Sequence, residues 1–92
     1  MAVYKKDPNA ILDYVFDWSA WLTPLGDTIS TVTWIPDAGL TVVSSSHTTT
    51  TATAVISGGV VDTTMNLTCR IVTVGAPART DDRTIQLKIV NR

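Results

Sequence analysis

His47 and Cys69, the one histidine and the one cysteine of this 92-residue chain, are its plainest candidates for nucleophilic, acid–base or metal chemistry. A catalytic triad needs a base held against a nucleophile by an orienting acid. His47 instead follows Ser44-Ser45-Ser46 and precedes a run of threonines, and nothing singles out one hydroxyl. Zinc-type ligand spacing needs several Cys or His side chains. Asp37 or Asp81-Asp82 could touch a cation, but no calcium-loop pattern surrounds them. Asp13 and Asp17 share a strand face. At about 3.3 Å per residue they stand about 13 Å apart, so they read as edge charges rather than as paired carboxylates flanking one cleft. Asn66-Leu67-Thr68 matches a glycosylation acceptor, yet it lies inside a strand pattern. No catalytic, metal-binding or cofactor-binding residue is assigned, and no cofactor is expected.

Two groups could make protein contacts. Arg79-Thr80-Asp81-Asp82-Arg83 mixes signs within one loop. It is either a contact loop or a set of ion pairs at a hairpin tip, each worth under ~1 kcal/mol when exposed. Tyr4-Lys5-Lys6 lies in a polar stretch that ends in Asp7-Pro8-Asn9. The candidate interaction residues are therefore Tyr4, Lys5, Lys6, Arg79, Asp81, Asp82 and Arg83.

Composition bounds the elements that must position them. The length suits one small domain. All acidic residues are aspartate, and Thr, Val and Ile abound. Aspartate favours turns and caps, while β-branched side chains fit a pleated sheet. A net charge of -1 gives no field for nucleic acid or an anionic membrane, and neither is expected as a partner. MAVYKKDPNA lacks the apolar core of a signal peptide, and a lone cysteine allows no intrachain disulfide, so synthesis in a reducing compartment is expected. No apolar run approaches the ~20 residues of a membrane span.

Leu12, Tyr14, Phe16 and Trp18 alternate with Asp13, Val15 and Asp17, the period of a half-buried strand. Ile11, Val15, Trp18 and Leu22 also share a helical face, but the aromatic content favours the strand. Ser19 to Leu22 is predicted to be a short turn or 3₁₀ piece tucking Trp21 inward. A strand follows from Thr28 to Ile35, where the parity of Ile29 against Val32 and Trp34 implies a bulge or two covered faces. After the turn Pro36-Asp37-Ala38-Gly39, Leu40 and Val42 open a strand that fades into Ser44–His47. Thr48–Ser57 reads as a strand with Ala52, Ala54 and Ile56 inward, closed by Gly58-Gly59. Met65, Leu67, Cys69 and Ile71 mark a central strand. A loop starts at Gly75 and carries on through Asp82, and Ile85, Leu87 and Ile89 mark the last strand.

This pattern predicts an all-β fold, an immunoglobulin-like β-sandwich of six to seven antiparallel strands. Residues 1–9 would be an extended N-terminal arm and 10–92 the sandwich, so deleting Met1 to Lys6 is expected to spare the fold. The expected core is Tyr14, Phe16, Trp18, Trp21, Trp34, Leu67, Cys69, Ile71 and Leu87, with Trp34 in its middle.

Several segments together resemble a known family: Lys6-Asp7-Pro8-Asn9-Ala10, Leu12-Asp13-Tyr14, Phe16-Asp17-Trp18-Ser19-Ala20-Trp21-Leu22 and Gly26-Asp27-Thr28-Ile29. Trp34, Gly39-Leu40-Thr41-Val42 and Arg79-Thr80-Asp81-Asp82-Arg83-Thr84 extend the likeness over almost the whole chain. The family is one of small tailed-phage virion proteins usually described as fiber-tail adaptor proteins. The resemblance implies an immunoglobulin-like domain that is not an enzyme, made in the bacterial host cytoplasm and built into the virion. Its partners would be other virion proteins (tail, connector or fiber, with the capsid as a further option), in multiple copies within a symmetric assembly. It transfers no functional residues. Two other classes stay open: a capsid decoration protein, and a carbohydrate-binding module in which Trp21 or Trp34 stacks on a sugar.

Overall fold

The computed structural model describes residues 3–91; Met1, Ala2 and Arg92, the outer ends of the expected arm and domain, lie outside them. Its elements are β1 (Val3–Lys6), β2 (Leu12–Asp17), α1 (Ser19–Leu25), β3 (Ile29–Pro36), β4 (Leu40–His47), β5 (Thr51–Gly58), β6 (Thr64–Thr73) and β7 (Thr80–Ile89). They form two sheets, one ordered β1-β7-β6-β3 and the other β2-β5-β4. The expected all-β sandwich is what forms.

Alternation sets the core. Tyr14 and Phe16 of β2 point inward, while Asp13, Val15 and Asp17 point out. In register, Tyr14 faces Ala54 and Phe16 faces Ala52, so each ring lies beside a methyl group and the layer fills without overlap. From the other sheet Leu67, Cys69, Ile71, Leu87 and Ile89 close on them, all fully buried together with Trp18. At roughly 1.5–3 kcal/mol for each large apolar side chain removed from water, this cluster dominates stability.

Four expectations are corrected. Ser19–Leu25 is a seven-residue α-helix rather than a turn or 3₁₀ piece. Asp17 Oδ1 accepts the Ser19 N–H at 2.9 Å, and the end is sealed by Gly26 at φ 64. There the Gly26 and Asp27 N–H groups donate to the Thr23 and Leu22 carbonyls, a pairing that needs a residue tolerant of the left-handed region. Second, Trp34 and Trp21 are only partly buried and pack against the core from its margin. Trp34 belongs to β3, an edge strand, so one side of its ring has no neighbouring strand. Third, Ser44–His47 does not fade into a loop; it continues β4 against Ala52–Val55 after a bulge between Val42 and Ser44. Asp81, Asp82 and Arg83 likewise sit within β7, paired with Ile71, Arg70 and Cys69.

The fourth concerns the arm. Val3–Lys6 is extended, but it is the edge strand of the larger sheet, parallel to β7 with Val3 to Lys6 opposite Gln86 to Ile89. The sandwich is therefore not purely antiparallel. The chain must cross from one sheet to the other between β1 and β2, which lets β1 meet β7 in the parallel sense. Deleting residues 1–6 would strip this strand from β7, so an intact fold is no longer the expected result.

Candidate functional site

The expected contact residues are not gathered into one site. Tyr4 is exposed at the β1 edge, and its ring lies 5.4 Å from that of Tyr14, which it partly covers. Lys5 is exposed on the outer face. Lys6 is fully buried. Its ammonium donates to three carbonyl oxygens, Ala10 at 2.6 Å, Gly58 at 2.7 Å and Asp7 at 3.0 Å. An ammonium has three donors, and all are used. Burial lowers the Lys6 pKa, opposed by the nearby Asp7 carboxylate. Lys6 therefore fastens the β1–β2 crossing to the end of β5 and has no surface to offer a partner. Gly58 fits this junction because a Cβ there would fall 2.6 Å from the Gly39 carbonyl oxygen.

The other group lies toward the opposite end of β7. Arg83 Nη1 donates to the Asp17 carbonyl at 2.7 Å, and its guanidinium carbon lies 4.3 Å from the centre of the Trp18 ring. Arg70 grips Asp82 through two bonds of 2.8 and 3.0 Å on the outer face. That hydrogen bonding holds the Asp82 carboxyl below its usual range. Asp81 Oδ1 accepts the Asp82 N–H, and Arg79 Nη1 stands 3.7 Å from Asp27. The ion pairs are not the local ones the sequence suggested: Asp82 pairs across the ladder with Arg70 and Arg79 with the distant Asp27, while Arg83 is a clip between the two sheets.

Asp27 was not singled out from sequence, yet it organises this end. Its Oδ1 accepts the Thr28 and Gly75 N–H groups at 2.9 and 3.0 Å. These bonds, the Thr73 hydroxyl and Arg79 keep its pKa below the ordinary value. Gly75 is the residue that can come so close, since a Cβ there would lie 2.6 Å from Asp27 Oδ2. Cys69 is fully buried, and burial pushes its thiol up to about 11. A thiol held in that form is a poor nucleophile.

The two open flanks of the sandwich differ. At the β1–β2 flank Tyr4, Lys6 and Arg83 bridge the sheets. At the β3–β4 flank a cleft of about 280 Å³ separates them, lined by Thr31, Val32, Trp34, Ser45, Ser46 and His47. The Trp34 ring meets Phe16 edge-on at 5.4 Å, and that of Trp21 meets Trp18 at 5.8 Å, so each half-buried ring is packed against a buried one. Sequence reading passed over this cleft because its residues are ordinary one by one; only strand order brings β3 and β4 together.

What the chain presents is a small cross-tied β-sandwich with polar outer faces, the build of a structural module. The family described as podophage GP4 fiber-tail adaptor protein gp77 matches residues 6–88, and the chain belongs to it. No curated protein matches the sequence. Membership makes this chain a phage structural adaptor, a virion component that meets other virion proteins. Among the described residues no helix is long and apolar enough to cross a membrane.

Proposed function

We propose that this protein is a non-enzymatic adaptor that joins tail fibers to the tail or its connector. The observation that carries this reading is the family match over nearly the whole sandwich. The build supports it: an adaptor must transmit force without yielding, and Lys6 and Arg83 tie strands that are remote in sequence. The groups β2-β5-β4 and β7-β6-β3 correspond to the BED and GFC sets of a constant-type immunoglobulin sandwich, which supports the expected immunoglobulin-like connectivity. The Thr- and Ser-rich outer faces suit many weak contacts that gain strength when repeated around a ring of copies. Tyr4, Lys5, Arg79, Asp81 and Asp82 are the residues of the candidate contact set that stay exposed, Arg79 and Asp82 within ion pairs. Synthesis in the host cytoplasm precedes incorporation.

Particles assembled without this chain test the proposal. Heads with tails but no attached fibers are expected. Fully fibered particles would refute it.

A further inference from the structure

We propose that the β3–β4 flank accepts an uncharged extended segment of another virion protein, added as a strand to β4 with one apolar side chain seated in the cleft against Trp34. This rests on the adaptor reading. Among the described residues β3 pairs only with β6 and β4 only with β5, so each keeps one unpaired edge, and the cleft lies between those edges. A row of unpaired N–H and C=O groups is a template for another strand, and proteins ordinarily guard it with charge, shortness or a cover. The β1–β2 flank is guarded in all three ways. β1 has four residues, the exposed Lys5 stands on it, Asp13 and Asp17 stand on β2, and Tyr4 and Arg83 bridge across. The β3 and β4 strands, ISTVTWIP and LTVVSSSH, are eight residues each and carry no Asp, Lys or Arg, with His47 at the end of β4 their one titratable residue.

That neutrality defines the occupant. A charged side chain entering the cleft would lose water and find no carboxylate, ammonium or guanidinium among the lining residues to offset the loss. An apolar one gains Trp34 and Val32, while its backbone gains the β4 edge. In such strand addition main-chain bonds supply affinity and the pocket supplies selectivity. A second copy fits less well. Two β4 strands pairing about a two-fold axis would bring two copies of the bulge between Val42 and Ser44 into one ladder, interrupting it at two places wherever the axis does not pass through the bulge. A flexible segment adjusts its register to a single bulge.

Ser45 tests this, because it is exposed and shares its register position with the inward-facing Ala54. Particles are assembled with wild-type protein, with Ser45→Lys, or with Val15→Lys on the outer face of β2, and bound protein is quantified by immunoblot. Ser45→Lys is expected to keep the wild-type circular dichroism spectrum and to fall at least tenfold in particles, with Val15→Lys bound as wild type. Ser45→Lys bound at the wild-type level overturns the inference and leaves the adaptor reading standing; wild-type protein missing from particles overturns both. Should Ser45→Lys misfold, a photo-cross-linking p-benzoylphenylalanine in place of Ser46 decides. An adduct with an uncharged stretch of another virion protein supports the inference, whereas an adduct with a second copy, or none, overturns it.

Discussion

Arg83 lies over Trp18, its guanidinium carbon 4.3 Å from the ring centre, and the same guanidinium donates to the carbonyl of Asp17, the residue before that tryptophan. One side chain of β7 thus holds both the largest buried ring, at the N-cap of α1, and the end of β2 in the opposite sheet. Lys6 makes the matching tie toward the other end of the same flank. A body braced in this way can pass load between partners without its two sheets sliding.

Removing the Arg83 clip should therefore weaken the fold itself. Arg83→Ala is expected to lower stability by about 1–3 kcal/mol, the combined scale of a cation–π contact and a charge-assisted hydrogen bond. Urea unfolding followed by tryptophan emission measures it, and an unchanged midpoint would contradict the clip.

Adjacent lysines should behave oppositely. Lys6→Met leaves three carbonyls at a buried junction without their donor and is expected to cost about 2–4 kcal/mol. Lys5→Met, on the exposed face, should stay within about 0.5 kcal/mol. Equal effects in chemical denaturation would show that burial does not distinguish the two.

The tryptophans should rank by burial. Trp18→Ala is expected to cost about 3–5 kcal/mol, as for other buried aromatics, and Trp34→Ala about 1–3 kcal/mol because its ring already borders the cleft. Denaturation of the two variants under one condition checks the order.

Alkaline pH should expose the buried thiol. In the unfolded chain Cys69 ionises near its ordinary value of 9.0; in the folded chain burial defers this to about 11, while the Trp18 indole and Arg83 pull the other way. The folded pKa is raised, so the contribution is fully present below pH 9 and is lost as pH rises toward 11. Between pH 8 and pH 10.5 the wild type should lose about 2 kcal/mol more than Cys69→Ala. Parallel pH profiles would contradict the assignment.

The sheet was legible where one signal decides a strand: strict alternation in Leu12–Asp17 and Met65–Ile71, and glycine turns at Gly39 and Gly58. Burial of Trp18 and Cys69 followed from that parity. Trp34 was misplaced because its parity says inward, whereas only strand order reveals that β3 is an edge. Lys6 was misread for a related reason. A lysine near a terminus reads as solvated, and the three carbonyls that accept from it come from the adjoining β1–β2 connection and a remote strand end. The charged run at residues 79–83 suggested ion pairs within itself, but its partners lie elsewhere: Asp82 pairs with Arg70, Arg79 with Asp27, and Arg83 reaches a carbonyl 66 positions away, which no local spacing encodes.

The central claim, that this sandwich joins fiber to tail, is tested most directly by a cryo-EM map of the intact particle at a resolution that traces strands. The account predicts density for the sandwich at the tail vertex, in contact with fiber on one side and tail or connector on the other. Density on the capsid lattice of the head, or none in the particle, would contradict it.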